Sequence, residues 1–341
     1  LKMKRWYFWV GIAISALFLF LALRGLHLGQ VWQSIQGANL LWLIPAVAVY
    51  FIDVIFRSLR WQILLKPTVQ LDLGEVFPVI SIGYLGNNIF PARAGELLRA
   101  ILLKHRYQTP VSTTLATIIV ERIFDGVVML GFIFFNLQAL SNLTTSSGFI
   151  GSIQSLAFWG AIAFLGALVM FFLAAIFPVQ VEKFLLRVIN AVLPSKWRAP
   201  AANIIQRFVS GLGSLRSPRQ ALLVVLTSLA VWLLETLTYW FVMQAFPFSI
   251  SLFALMLMNG IVNLSTTLPS APGYIGVFDA PGIALLSAFG IEPASAAGYT
   301  LLLHATLWLP ITLVGGYFFA RAGLDWSREL DQARKERKAD R

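Results

Sequence analysis

Residues Ser81–Arg106 read SIGYLGNNIFPARAGELLRAILLKHR and join an apolar run to a basic helix through a break. Two asparagines and Pro91 end the apolar run, because proline disrupts a helix, and Gly95 marks the turn. In a chain this apolar, the pattern is typical of backbone that enters a bilayer and returns to the same face. Non-helical backbone at that depth persists only where protein or a water-filled cavity satisfies its polar groups. The stretch therefore predicts a re-entrant hairpin beside a polar cavity.

The composition is that of an integral membrane protein. Hydrophobic residues make up 58% of the chain and charged residues 12%, whereas soluble domains carry roughly 25% charged residues. The sequence contains no cysteine, which excludes disulfides and cysteine-ligated metals. Its three histidines are far apart, so we predict no metal site and no cofactor. The net charge of +11 fits basic cytoplasmic loops and anionic lipid better than nucleic acid.

The fold class predicted is an all-α polytopic membrane protein with about six full spans and two re-entrant hairpins. The full spans are Trp6–Leu23, Leu40–Phe56, Val111–Leu140, Ile150–Ile176, Ala221–Phe246 and Ala294–Ala320. The re-entrant hairpins are Ser81–Arg106 and Ser251–Gly290. Residues 1–324 form one transmembrane domain in this interpretation, with interfacial cytoplasmic helices at about 179–219 and a charged cytoplasmic tail at 325–341.

The distribution of basic residues predicts the orientation of the chain. Every lysine and arginine except Arg24 and Arg122 falls on one side of the predicted membrane, including Arg57, Arg60 and Lys66 after the second span. Because basic residues accumulate in cytoplasmic loops, we expect an inner-membrane protein with both termini in the cytoplasm.

The two halves of the chain, at about 6–140 and 150–320, predict an inverted repeat. The sequence FPARAG at 90–95 matches LPSAPG at 268–273, Asp53 matches Glu235, and Glu121 falls opposite His304. Inverted repeats with paired broken helices are an architecture of transporters, whose ligand site lies where the breaks meet. The structural breaks are Pro91, Gly95, Pro269, Pro272 and Gly273.

Charged and amide side chains near the breaks are the candidate substrate-binding residues: Asn88, Arg93, Glu96, Arg99, Glu121, Arg122, Asp125 and Asp279. Arg93 and Arg122 are expected to hold a phosphate, because a guanidinium offers a planar fork of donors. Glu96, Glu121 and Asp125 would orient these arginines or sense the head group of a lipid ligand. Asp279 is expected to pair with Arg93 or Arg122.

Each candidate also has a purely structural interpretation. Glu121, Arg122 and Asp125 share a helix and would equally form a salt-bridge cluster that locks it to its neighbours. The secondary candidates Asp53 and Glu235 would recognise an amine or support broken-helix backbone. His304, alone on an apolar helix, is a core histidine or a proton carrier.

Three ordered motifs resemble a known membrane family. They are GNNIFPARAGELLR at 86–99, VERIFD at 120–125 and LPSAPGYIGVF at 268–278. Together they resemble the transmembrane flippase-like region of the lysylphosphatidylglycerol synthase family, the multiple peptide resistance factor. The resemblance implies movement of an aminoacylated phosphatidylglycerol between leaflets. The matching positions are Asn88, Pro91, Arg93, Gly95, Glu96, Arg99, Glu121, Arg122, Asp125, Pro269, Pro272, Gly273 and Gly276.

The full synthase of that family carries a soluble aminoacyltransferase domain, whereas this sequence ends in a short charged tail. We therefore expect a stand-alone member that is not an enzyme, and no G-x-S-x-G, H-E-x-x-H or Walker A motif is present. The expected function is a lipid flippase whose partner is a membrane phospholipid or lipid-linked substrate. The alternatives are an accessory subunit or transferase component working with a separate soluble transferase, and a small-solute transporter. A homodimer is compatible with each of these three functions.

Overall fold

The computed structural model describes residues 28–90, 93–136, 176–192, 194–268 and 270–339, with individual positions within 17–20 and 159–174. The predicted span Trp6–Leu23 and most of Ile150–Ile176 lie outside the described residues. So do the predicted breakers Pro91 and Pro269. The described residues form helices and loops without a strand, which confirms the all-α prediction.

The α-helices of the described part are numbered in chain order. They are α1 (Leu28–Gln36), α2 (Leu43–Leu65), α3 (Leu73–Ile89), α4 (Ala94–Tyr107), α5 (Val111–Phe135), α6 (Pro178–Val192), α7 (Ser195–Gly211), α8 (Pro218–Met243), α9 (Leu252–Ser265), α10 (Asp279–Ala288) and α11 (Pro293–Ala339). Short 3-10 helices occur at Leu40–Trp42, Gly213–Arg216 and Pro272–Tyr274.

Local sequence explains where several helices begin. The Ser251 hydroxyl accepts a hydrogen bond of 3.1 Å from the Ala254 amide and so caps α9. Glu292 caps α11 by accepting from the amides of Ala294 and Ser295 at 3.0 and 2.7 Å. These backbone donors lower the pKa of the Glu292 carboxyl below its usual value, because they stabilise the charged form.

Three helical segments of the described part are long and apolar enough to cross a membrane: Leu40–Leu65, Pro218–Met243 and Pro293–Gly323. Along α8, Leu222, Leu226, Leu229 and Leu233 are exposed at helical spacing. The outer face of this helix is therefore apolar while its carboxylate, Glu235, is buried. This arrangement, with apolar residues outside and charge inside, suits a lipid environment.

The second predicted span was wrong at its C-terminal end. We expected Arg57 and Arg60 in a loop after Phe56, but α2 continues to Leu65 and buries both arginines to 6% and 1% exposure. Carboxylates from α2 itself and from two other helices neutralise them, which makes burial tolerable. The positive-inside rule therefore does not account for these two residues.

Helix packing brings the two halves of the chain together. Helix α2 packs along α8, α3 packs against α4 and α11, and α9 packs against α5. Helix α10 packs against α11, and α7 lies against α5. The short helix Pro272–Tyr274 contacts α3, so the region after α9 meets the region before α4.

The hairpin of α3 and α4 depends on the absence of side chains where the two helices touch. A Cβ atom on Gly95 would overlap the Gly83 carbonyl oxygen and lie 2.7 Å from Asn87 Oδ1. The Gly95 amide donates to that same Asn87 oxygen at 2.9 Å. Between the helices, Arg93 adopts a left-handed conformation with φ 52° and ψ 38°, which is costly for a non-glycine residue.

Gly95→Ala should therefore destabilise the protein by about 1–3 kcal/mol, because the added methyl must push the two helices apart. The measurement is the thermal unfolding midpoint of the purified protein in detergent. Gly131→Ala on α5 is the matched control, since a Cβ there meets no atom within 4 Å. A midpoint for Gly95→Ala equal to that of the control would show that the close approach is not needed.

Candidate functional site: an arginine-lined cavity where the helix breaks meet

A cavity of about 110 Å³ lies between the two helix breaks, the first between α3 and α4 and the second between α9 and α10. One water needs roughly 10–15 Å³ of such volume, so the cavity has room for several waters or a phosphate-sized group. Its lining is polar and aromatic: Tyr50, Arg57, Tyr84, Asn87, Asn88, Arg93, Arg122, Trp232, Glu235, Asn263, Thr266, Gly273, Tyr274, Phe278, His304, Leu307 and Trp308.

The charges that line this cavity are unequal in number. Arg57, Arg93 and Arg122 face it from α2, from the first break and from α5, whereas Glu235 is the one carboxylate among the described residues of the lining. Asp53, Glu96 and Asp125 pair with these arginines from outside the lining, so the groups presented to a ligand are mainly guanidinium donors, which favour an anion.

Arg57 is held between the two equivalent carboxylates of the predicted repeat. Its Nε donates to Asp53 Oδ2 at 2.7 Å, and its Nη2 donates to Glu235. The second oxygen of Glu235 accepts from Asn263 Nδ2 at 2.8 Å. The Arg57 guanidinium also lies 5.1 Å from the centre of the Trp232 ring. Arg57 is therefore positioned by side chains of α2, α8 and α9.

Glu96 links the other two lining arginines. Its Oε1 lies 3.2 Å from Arg122 Nε and 3.6 Å from Arg93 Nη1. Arg93 also donates to the carbonyl and hydroxyl oxygens of Thr266, both at 3.1 Å, and lies 5.6 Å from the centre of the Tyr274 ring. The first break is thereby attached to the second.

Hydrogen bonding around Glu96 is incomplete among the described residues. Arg93 Nε, Glu96 Oε1 and Arg122 Nε are buried and lack a hydrogen bond of good geometry. The Arg122 side chain is 33% exposed, compared with 22% for Glu96 and 1% for Asp125, its two carboxylate partners. The pair Arg93 and Arg122 thus retains capacity to bind an anion.

A second set of charges lies behind the cavity wall. Arg60 Nη1 donates to Asp125 Oδ1 at 2.6 Å, and Arg99 Nη2 donates to Glu121 Oε2 at 2.8 Å. Trp232 Nε1 donates to the same Asp125 oxygen at 2.9 Å. Arg60, Arg99, Glu121 and Asp125 are absent from the cavity lining and almost completely buried. They hold helices α2, α4, α5 and α8 together.

The structure therefore divides the predicted site residues into groups. Asn88, Arg93 and Arg122 line the cavity together with Gly273, with the secondary candidates Glu235 and His304, and with Arg57, which was not predicted. Glu96 contacts two lining arginines, while Arg99, Glu121 and Asp125 lie in the ion-pair layer behind. Asn88 Nδ2 donates to Thr312 Oγ1 at 2.7 Å and so ties α3 to α11.

Asp279 does not form the pairing that we expected. It contacts neither Arg93 nor Arg122 but lies 2.8 Å from His304, whose Nδ1 faces Asp279 Oδ1. Residues 279 and 304 belong to the packed helices α10 and α11, and this proximity favours the short local pairing. His304 lines the cavity, whereas Asp279 is 1% exposed.

Several residues that line the cavity are not among those predicted from the sequence. Arg57 carried a usable signal, because it follows Asp53 by four residues and such pairs face each other on a helix. Tyr50, Tyr84 and Trp232 carried none, since aromatic residues are common throughout the chain. Within the described residues, no group of three or more His, Asp or Glu is suited to hold a metal ion.

Comparison with known proteins identifies relatives over most of the chain. The glycosyltransferase AglD of Haloferax volcanii is 27% identical over 335 residues, which cover 90% of this chain and 53% of that protein. The chain thus spans about half the length of AglD. A UPF0104 membrane protein of Methanothermobacter thermautotrophicus is 24% identical, over 84% of this chain and 87% of the relative.

A UPF0104 membrane protein of Pyrococcus horikoshii is 23% identical, over 83% of this chain and 88% of the relative. No solved structure matches the chain significantly. The family model of the lysylphosphatidylglycerol synthase TM region matches residues 8–315, and that extent includes both helix breaks and every residue of the cavity. The chain therefore belongs to the lysylphosphatidylglycerol synthase transmembrane-region family of membrane proteins.

Proposed function

We propose that this protein is a lipid flippase, a transporter that moves a phospholipid or lipid-linked head group between membrane leaflets without chemical change. The observation that carries the proposal is the convergence of Arg57, Arg93 and Arg122 on one cavity, in which Glu235 is the single carboxylate among the described lining residues. The phosphate of a lipid head group is the anion that this environment would bind within a membrane.

The packing of the two halves supports an inverted repeat. If α2, α3, α4 and α5 correspond to α8, α9, α10 and α11, the contact of α3 with α11 is equivalent to that of α9 with α5. The equivalent helices α2 and α8 pack along each other, and the equivalent residues Asp53 and Glu235 both contact Arg57. This exchange of contacts is what a two-fold relation between repeats produces, and such repeats are typical of transporters.

Apolar residues beside the cavity support a lipid rather than a small solute. A second cavity, of about 160 Å³, shares Asn87, Arg93 and Tyr274 with the first, and Phe90 and Leu268 also line it. The side chains of Phe90 and Leu268 are 51% and 47% exposed. A ligand with a charged head in the first cavity could therefore extend apolar chains past this rim into lipid.

The proposed setting is the cytoplasmic membrane, with two re-entrant hairpins around the cavity and both ends of the chain in the cytoplasm. The basic residues of α6 and α7 support this orientation, because cytoplasmic segments accumulate lysine and arginine. The cargo suggested by the family is an aminoacylated phosphatidylglycerol, and the glycosyltransferase relative suggests a lipid-linked sugar. Both carry a phosphate.

A second candidate is a membrane module that works with a separate soluble transferase. The observation in its favour is that the match to AglD, a protein named as a glycosyltransferase, covers about half of that protein. Such a module would bind the same lipid and present its head group at the membrane surface. It would bind lipid without accelerating its transfer between leaflets.

The test is a flip assay in proteoliposomes with head-group-labelled lipids, both anionic and zwitterionic. A flippase should bring inner-leaflet label to a membrane-impermeant quencher faster than protein-free vesicles do, and anionic lipid should move faster than zwitterionic lipid. Folded protein that moves no lipid faster than empty vesicles contradicts the proposal. Lipid that co-purifies with the protein but does not flip would favour the accessory module.

A further inference from the structure

The contacts of His304 differ from those of an ordinary core histidine. Its Nδ1 lies 2.8 Å from Asp279 Oδ1 and its Nε2 lies 2.7 Å from the Gly273 carbonyl oxygen. A carbonyl oxygen only accepts hydrogen bonds, so Nε2 must carry a hydrogen. At the other nitrogen, a hydrogen bond to Asp279 requires a second proton on either Nδ1 or the carboxyl group. Either assignment gives the pair one proton more than a neutral histidine beside a carboxylate.

We propose that Asp279 and His304 form a proton-binding site that exchanges its proton with the arginine-lined cavity. His304 lines that cavity, whereas Asp279 is buried and its second oxygen accepts from the Gly276 amide at 2.8 Å. The Phe278 ring lies 4.5 Å from the imidazole, where an aromatic face stabilises a cation. The proton enters and leaves on the side of His304 that faces the cavity.

Loss of this proton alters the second helix break. With one ring hydrogen left, one nitrogen lone pair of His304 must face either the Asp279 carboxylate or the Gly273 carbonyl at hydrogen-bond distance. Both arrangements are repulsive, so one of the two contacts has to separate. Gly273 and Gly276 have positive φ values of 72° and 84°. The Gly273 carbonyl contacts His304 and the Gly276 amide donates to Asp279, so the protonated pair holds the backbone between them in this turn.

The turn also carries the residue that contacts the first break. Tyr274 has a φ of 60°, unusual for a tyrosine, and its ring receives the Arg93 guanidinium at 5.6 Å. Release of the proton therefore alters the position of Tyr274 and, through it, of Arg93. Both residues line both cavities, so the change acts at the junction between them.

The charges that face His304 determine how a bound ligand changes the affinity of this site for its proton. Three arginines of the cavity lining disfavour a charged imidazolium at His304, whereas Glu235 in the same lining favours it. The titratable hydroxyls in the same lining belong to Tyr50, Tyr84 and Tyr274. An anionic head group would neutralise the arginines and strengthen proton binding. This coupling rests on the proposed function, and it predicts that proton and anionic lipid bind together.

The site itself is tested without transport by NMR of full-length protein in lipid nanodiscs, with ¹⁵N-labelled histidine rings. The double variant His27→Gln, His105→Gln leaves His304 as the sole histidine of the sequence. At about pH 7, where a free histidine is largely neutral, we expect a hydrogen on Nε2 and a second proton between Nδ1 and Asp279. Asp279→Asn should leave a neutral ring with its hydrogen on Nε2.

In the His27→Gln, His105→Gln protein, an Nδ1 of His304 that neither carries a proton nor accepts a hydrogen bond from a protonated Asp279 carboxyl overturns the proton site, and this result needs no variant at position 279. The coupling is tested by flip rates with and without a pH gradient. A gradient should accelerate wild type and His105→Gln severalfold but leave His304→Gln unaffected. Wild-type flipping that ignores the gradient overturns the coupling alone, whereas absence of flipping overturns the proposed function and leaves the NMR result standing.

Discussion

Arg60→Met should destabilise the protein by about 3–5 kcal/mol, because it leaves a buried carboxylate without its main partner. Arg60 is 1% exposed and donates to Asp125 at 2.6 Å and to Ser228 at 3.0 Å. Methionine has a similar length and fills the space, so the loss reports on charge rather than on a void. The measurement is the free energy of unfolding in mixed micelles, from a denaturant titration.

The matched control is Lys104→Met, which removes the same charge from an exposed position on α4. A substitution of this kind usually changes stability by less than about 0.5 kcal/mol. The double variant Arg60→Met, Asp125→Asn should recover part of the loss, since it removes the unpaired carboxylate as well. Equal stability of Arg60→Met and Lys104→Met would contradict a structural role for the buried ion pairs behind the cavity.

Arg122→Gln should have the opposite profile, with little effect on folding and a large effect on transport. Arg122 is partly exposed to the cavity, and its carboxylate partners Glu96 and Asp125 keep Arg93 and Arg60 as ion-pair partners. Loss of a charged hydrogen bond to phosphate costs about 1.5–3 kcal/mol. We therefore expect the flip rate of an anionic lipid to fall about 10- to 100-fold, since 1.4 kcal/mol is a factor of ten.

Arg122→Lys separates the contribution of charge from that of geometry. Lysine keeps the positive charge but lacks the planar fork of donors, so its flip rate should lie between those of wild type and Arg122→Gln. The unfolding midpoint of each variant must stay close to that of wild type. Wild-type transport by Arg122→Gln would exclude Arg122 from lipid recognition.

The parts of the site that sequence indicated are those with a local signal. The motif FPARAG at 90–95 and its partner LPSAPG at 268–273 mark breaks because proline and glycine disrupt helices whatever surrounds them. Arg122 is indicated because a charge inside an apolar run is costly without a function or a partner, and Arg93 because it lies between a helix-breaking proline and a glycine. The family was recognisable from the same motifs.

The parts that sequence did not indicate depend on contacts between distant residues. The sequence predicts Arg57 and Arg60 as loop residues, because basic residues near a span usually lie in the cytoplasm. Their burial depends on Glu235 and Asp125, which follow 178 and 65 residues later and reach them only through helix packing. The pairing of Asp279 with His304 is likewise a result of how α10 lies on α11. No spacing rule on one helix predicts such pairs.

The most direct test of the central claim is a high-resolution cryo-EM map of the protein in nanodiscs of anionic phospholipid. We expect phosphate density between the two helix breaks, within about 3 Å of the guanidinium nitrogens of Arg93 and Arg122. The acyl chains should leave past Phe90 and Leu268. A map in which lipid phosphates lie only at the outer ends of the helices, with water alone beside these arginines, would contradict it.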